Sequence, residues 1–86
     1  MTQEEVYNLY DKVSDVLYGF KSYHCWYVCC NKEWAYNSLY FEVHIDSDQG
    51  EGREWVEHWY IDDKGRIHSE ETIYENYEEF LREWAL

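Results

Sequence analysis

Two carboxylate and histidine segments of this chain could hold a metal. Glu42 and His44 stand two residues apart in LYFEVHID, and His58 lies in REWVEHWYI. If both segments are strands, Glu42 and His44 share one face and His58 sits across from them. That is the donor set of a two-histidine, one-carboxylate site, provided the strands are neighbours in a favourable register. Histidines on a polar sheet face are more commonly plain surface residues, so the sequence by itself assigns no metal and no cofactor. The stretch DSDQGEGREWVE places Asp46, Asp48 and Glu57 at positions 1, 3 and 12 of a calcium-loop count. Its sixth position, where that loop requires Gly, is Glu51, and its flanks read as strands rather than helices. Cys25, Cys29 and Cys30 lack a second ligand pair at zinc spacing. On a strand, Cys25 and Cys29 share a face and Cys30 points to the other. Three crowded cysteines suit a reducing cytoplasm, as small apolar side chains. No nucleophile–base constellation and no phosphate-cradling Gly loop is present, so the chain reads as a non-enzyme.

The acidic residues form the stronger pattern. The segment SEETIYENYEEFLREWAL spaces Glu71, Glu75, Glu79 and Glu83 four apart, with Glu70 and Glu78 beside them. Read as one helix capped by Ser69, it has an apolar stripe of Ile73, Tyr77, Phe80, Leu81 and Trp84, and a row of carboxylates along one side. Like charges at that spacing cost a helix about 0.2–0.5 kcal/mol per pair. Successive carboxylates would step about 6 Å along the axis, comparable to the phosphate spacing of a nucleic-acid strand. Further acid collects at Asp46, Asp48, Glu51 and Glu54, at Asp62 and Asp63, and along Glu4, Glu5, Asp11 and Asp15.

Nineteen Asp and Glu against seven Lys and Arg give a net charge of −12. Solubility of a small domain is served by a magnitude of about 2–8, so the excess calls for another explanation. Such a balance opposes direct binding to nucleic acid or to an anionic membrane, both of which recruit Lys and Arg. It favours basic partners and speeds their association. No segment is apolar enough for a membrane span.

These groups must be positioned by one small domain, residues 1–86. Thr2 with Glu5 forms a capping box, followed by Val6, Leu9, Val13, Val16, Leu17 and Phe20 at helical spacing, and Gly19 suits the helix end. YHCWYVCC reads as a first strand and NKEWAYN as turn residues. LYFEVHID alternates cleanly, with Leu39, Phe41, Val43 and Ile45 on one face. REWVEHWYI is a third strand, with Trp55, Trp59 and Ile61 on one face. DDKG is a turn with Gly65 available for positive φ, and RIH adds a short fourth strand. The expected architecture is α+β: a helix, three or four antiparallel strands and a helix, in two layers with both helices on one sheet face. Trp and Tyr on both faces of the strands leave some of Trp26, Tyr27, Tyr36, Tyr40 and Tyr60 exposed.

In size, acidity and helix–strands–helix order the chain resembles the small acidic inhibitors made by phages, namely anti-CRISPR proteins, uracil-DNA glycosylase inhibitors and anti-restriction proteins. The resemblance implies a cytoplasmic protein that occupies the basic groove of a nucleic-acid-binding or nucleic-acid-cleaving enzyme. The expected contact residues are Glu71, Glu75, Glu78, Glu79 and Glu83, with Asp46, Asp48 and Glu51 standing in for further phosphates and Tyr40 as an anchor. Two other functions stay open at this point. One is an immunity or antitoxin protein that neutralises a basic toxin. The other is a module that pairs with a second copy through an aromatic face.

Overall fold

The structure, a computed structural model, describes residues 1–20, 25–48 and 53–85, with the backbone alone at Arg53. The chain runs α1 (Gln3–Gly19), β1 (Cys25–Ala35), β2 (Ser38–Ser47), β3 (Arg53–Asp62), β4 (Ile67–His68), β5 (Ile73–Tyr74) and α2 (Tyr77–Trp84). The five strands form one antiparallel sheet in sequence order. Helix α1 packs on β1, β2 and β3, and α2 packs against α1 and β5. The expected α+β, two-layer architecture is therefore present, with five strands rather than three or four.

Helix α1 begins as its capping box dictates. Thr2 Oγ1 accepts from Glu5 N, and Glu5 Oε1 accepts from Thr2 N at 2.8 Å. Its stripe of Val6, Leu9, Tyr10, Val13 and Leu17 is buried against Leu39, Phe41, Val43 and Ile45, the inward set of β2. Aromatic rings complete this layer: Trp59 meets Phe41, Phe80 and Trp84, and Trp84 also meets Phe20 and Tyr27. Most rings are thus core, as their size favours.

Two expectations are corrected. The segment Asn31–Ala35 continues β1, and only Tyr36 and Asn37 turn the chain, at φ 53° and 56°. Positive φ at both central residues is the signature of a tight hairpin whose twist matches its strands. Trp34, expected in a turn, packs inward on Tyr7. A left-handed backbone is unfavourable for a ring-bearing residue, and Tyr36 is 92% exposed, so its ring contributes no burial. Tyr36→Gly is therefore expected to raise the unfolding free energy by about 0.5–1 kcal/mol in a denaturant titration.

The second correction concerns the carboxylate row. No helix starts at Ser69: its Oγ accepts from Thr72 N at 2.9 Å and Glu71 N at 3.3 Å, closing the turn between β4 and β5. Ile73 lies in β5 and is 53% exposed rather than part of an apolar helical stripe. The helix begins after Asn76, whose side chain accepts from Glu79 N at 2.9 Å, while Glu79 Oε2 accepts from Glu75 N at 2.9 Å. Glu71 and Glu75 thus lie outside α2, and the row of four does not exist. The competing local signal is the Asn-x-x-Glu cap at Asn76, which offers the backbone a start without stacking like charges.

The turn after β3 is built on Asp62. Its Oδ1 accepts from Lys64 N and Arg66 N, both at 3.0 Å, and its Oδ2 accepts from Arg66 Nε and His68 Nε2, both at 2.9 Å. Gly65 takes φ 81° there, a conformation that favours Gly, whereas the Met1 Sδ that a Cβ would meet at 2.9 Å belongs to a flexible side chain that can move aside. Burial alone would raise the Asp62 carboxyl, but the bonds from His68, Arg66 and Lys64 outweigh it and bring the pKa down to about 2.

Candidate cation-binding cleft

Alternation along β3 sends Trp55, Glu57 and Trp59 to the helix-covered face. An acid among inward residues needs partners, and Glu57 has two. Trp59 Nε1 donates to its Oε1 at 2.9 Å, and Trp55 Nε1 lies 3.4 Å from its Oε2. Strands β4 and β5 are only two residues long, so beside this part of β3 the layer stays open. A cleft of about 160 Å³ results, walled by Tyr27, Trp55, Trp59 and Trp84, with Glu57, Glu71 and Glu83 on its lining. Drug-sized ligands need about 300–1,000 Å³, so this space suits one side chain rather than a free metabolite.

The chemistry of the lining is specific. Three carboxylates beside five aromatic rings, Tyr74 being the fifth, can hold a cation by charge and by ring faces together. Tyr74 fixes the far wall: its hydroxyl donates to the Glu83 carboxylate and accepts from Trp84 Nε1. Burial, and then the hydrogen bond to the Glu83 carboxylate, push the Tyr74 phenol up to about 12, so it remains a neutral donor at physiological pH.

The expected contact residues separate into groups. Glu71 and Glu83 line the cleft together. Glu75 precedes α2, and Glu78 and Glu79 occupy its first turn, where the helix dipole favours them. Glu75, Glu78 and Glu79 are not part of the cleft lining. Asp46 sits near the end of β2 and Asp48 just beyond it, while Glu51 lies outside the described residues. Tyr40 is on the opposite face, stacked on Tyr60. The calcium count fails on geometry, because Asp46 and Glu57 project from opposite faces of the sheet. Glu57, weighed only as a calcium ligand, and Tyr27, Trp55 and Trp84, read only as core or exposed rings, were not anticipated as one cleft. Their signal was Trp55-x-Glu57-x-Trp59, an acid between two tryptophans on the inward side of a strand.

The uncovered face is ordered in rows across the sheet: Trp26, Asp46 and Glu54; Val28, His44 and Val56; Cys30, Glu42 and His58; then Glu33, Tyr40, Tyr60, His68 and Ile73. The register that the two-histidine arrangement required is therefore present. His44 Nε2 lies 2.9 Å from Glu42 Oε1, and His58 Nε2 lies 4.0 Å from Glu42 Oε2. The Glu42 carboxyl is held below its usual range by hydrogen bonds from His44 and Asn31. Burial, then the Glu42 charge, raises the Cys30 thiol. Cys29 faces the core, and burial pushes its thiol up to about 12.

Two of the described lysines lie over rings. Lys32 Nζ is 5.3 and 5.1 Å from the Tyr7 and Tyr10 ring centres, and Lys12 Nζ is 5.6 Å from that of Tyr77. Arg66 is committed to Asp62. Among the described residues, no helix is long and apolar enough to cross a membrane. Compared with protein-family models, with curated proteins and with solved structures, the chain matches none.

Proposed function

We propose that this protein is an acidic inhibitor that docks on the basic groove of a nucleic-acid-binding or nucleic-acid-cleaving protein. One arginine or lysine of that partner would enter the cleft. The observation that carries this reading is Glu57, pinned between two indole N–H groups in a cleft that Glu71 and Glu83 also line. A carboxylate so fixed loses little freedom on meeting a cation, and the surrounding rings exclude water from the pair. The general negative field would accelerate encounter, and the cleft would slow release.

The test is retention of host-lysate proteins on the immobilised chain, eluted with a salt gradient and identified by mass spectrometry. The expected capture is a basic nucleic-acid-binding protein, displaced by added DNA. Glu57→Gln keeps an acceptor oxygen for one indole, turns an amide NH2 toward the other and removes the charge, and is expected to weaken binding of that partner by about 2 kcal/mol or more, roughly thirtyfold. Capture that ignores salt, DNA and Glu57→Gln alike would sink the reading. The captured protein also separates a phage inhibitor, whose partner is a host defence enzyme, from an immunity protein, whose partner is a toxin. Self-association is a second reading, favoured by Trp26, Val28 and Val56, which lie exposed and close on the open face. Sedimentation as a dimer at micromolar concentration would support it.

A further inference from the structure

On the open face, away from the cleft, three donors of different chemistry converge. One donor atom each of Cys30, Glu42 and His44 lies within 4.8 Å of the other two. Antiparallel pairing brings them together: Cys30 of β1 is the partner of Glu42 of β2, and His44 follows Glu42 on the same side. Glu42 is paired on its other flank with His58 of β3. We propose that this cluster is a transition-metal site, suited above all to Zn²⁺, in which Cys30 Sγ, a Glu42 oxygen and His44 Nε2 are ligands and His58 supplies the fourth.

The geometry needs only small adjustments. Ligand atoms about 2.0–2.3 Å from Zn²⁺ at tetrahedral angles stand about 3.3–3.6 Å from one another. His44 Nε2 and Glu42 Oε1, now 2.9 Å apart, must separate slightly, and the thiol must approach. His58 has the freedom to close in, since its side chain is 74% exposed and its Nε2 is 4.0 Å from Glu42 Oε2. On coordination the Cys30 thiol releases its proton to solvent and binds as thiolate, while both imidazoles bind neutral. A set of one sulfur, two nitrogens and one oxygen selects Zn²⁺ over the oxygen-seeking Mg²⁺ and Ca²⁺.

Supporting groups around the ligands are also in place. Strand β1 carries an extra residue opposite Phe41, and Asn31 there takes φ 56°. This bulge aims the Asn31 amide at the open face, where Nδ2 donates to Glu42 Oε1 at 2.8 Å. On the far flank Glu70 Oε2 accepts from His58 N at 2.7 Å and lies 3.9 Å from His58 Nδ1. A carboxylate at the second ring nitrogen is how ligand histidines are commonly oriented.

The experiment is titration of the reduced, tag-free chain with Co²⁺, followed by displacement with Zn²⁺. One equivalent of Co²⁺ should give a thiolate-to-cobalt charge-transfer band in the near ultraviolet, with strong visible bands of a four-coordinate ion, and Zn²⁺ should erase both. Cys30→Ser should abolish the charge-transfer band, whereas Cys25→Ser should leave it. His44→Ala should weaken binding by more than about 100-fold, and Asn31→Ala by about tenfold with the spectrum unchanged. These side chains stand at the sheet surface, and circular dichroism checks each fold. Should one variant misfold, Glu42→Gln and His58→Ala report on the same bands. No saturable binding, no charge-transfer band, or a band that survives Cys30→Ser would overturn the assignment. Because the site is on the opposite face from the cleft, its failure leaves the docking proposal standing, and the reverse also holds.

Discussion

Phe80→Ala is expected to lower the unfolding free energy by about 3–5 kcal/mol, the usual cost of truncating a fully buried phenylalanine. Helix α2 has eight residues, far too few to be stable alone, so its existence depends on what it buries. Phe80 is its one fully buried side chain and is 0% exposed. Its ring packs edge-on to Trp59 and Tyr74, and lies nearly parallel to Tyr77 and Trp84. Removing it leaves a cavity among four aromatic rings that cannot collapse without unseating the helix. A urea titration followed by tryptophan fluorescence measures the loss. Trp84 and Glu83 move with α2, so the variant should also lose partner capture. A cost below about 1 kcal/mol would mean that α2 is held by its cap and its neighbours instead.

Asp62→Ala is the second large effect, expected at about 2–3 kcal/mol near neutral pH. Four donors converge on that carboxylate, and alanine would leave all four without their acceptor. The pH dependence distinguishes this loss from a packing defect. The folded-state pKa of about 2 lies below the ordinary 3.8, so the folded chain binds its proton later than the unfolded chain does. The charge-dependent contribution is therefore complete above about pH 4 and fades as pH falls towards 2. Other acids titrate alike in both proteins, so the gap in stability between parent and variant should narrow across that window. A gap that stays constant from pH 7 to pH 2 would remove Asp62's charge from the account.

Which parts of this fold were legible follows from how local each signal is. Leu39, Phe41, Val43 and Ile45 alternate without interruption, and their face is the buried one. Thr2 with Glu5 marked the first helix start to the residue. The last segment misled because Ile73, Tyr77, Phe80, Leu81 and Trp84 match a helical stripe, while the pairing of Ile73 and Tyr74 with β4 is a tertiary fact. Asn76 with Glu79 was the local sign of the true start, overshadowed by Ser69 seven residues earlier. Asn31–Ala35 misled for a related reason: Asn31 and Asn37 both look like turn residues, and only one closes the hairpin. In the cleft, Glu71 and Glu83 were legible as acids but not as neighbours, because their approach depends on where β5 and α2 pack. Glu42, His44 and His58 were readable as a set conditional on register; Cys30 joined them only once β1 was aligned.

The bulge at Asn31 has a further consequence, for aggregation. Strand order places β1 at the outer edge of the sheet, and a long straight edge is a template on which another chain can add a strand. The extra residue interrupts that edge, separating the regular pairing of Cys25–Cys30 from that of Glu33–Ala35. Lys32, a charged residue of the kind that discourages strand addition, falls at the break. Neither remaining piece offers a neighbouring chain an unbroken ladder of the full eleven-residue strand. The bulge residue that bonds Glu42 thus also breaks the ladder that the β1 edge would offer to another strand.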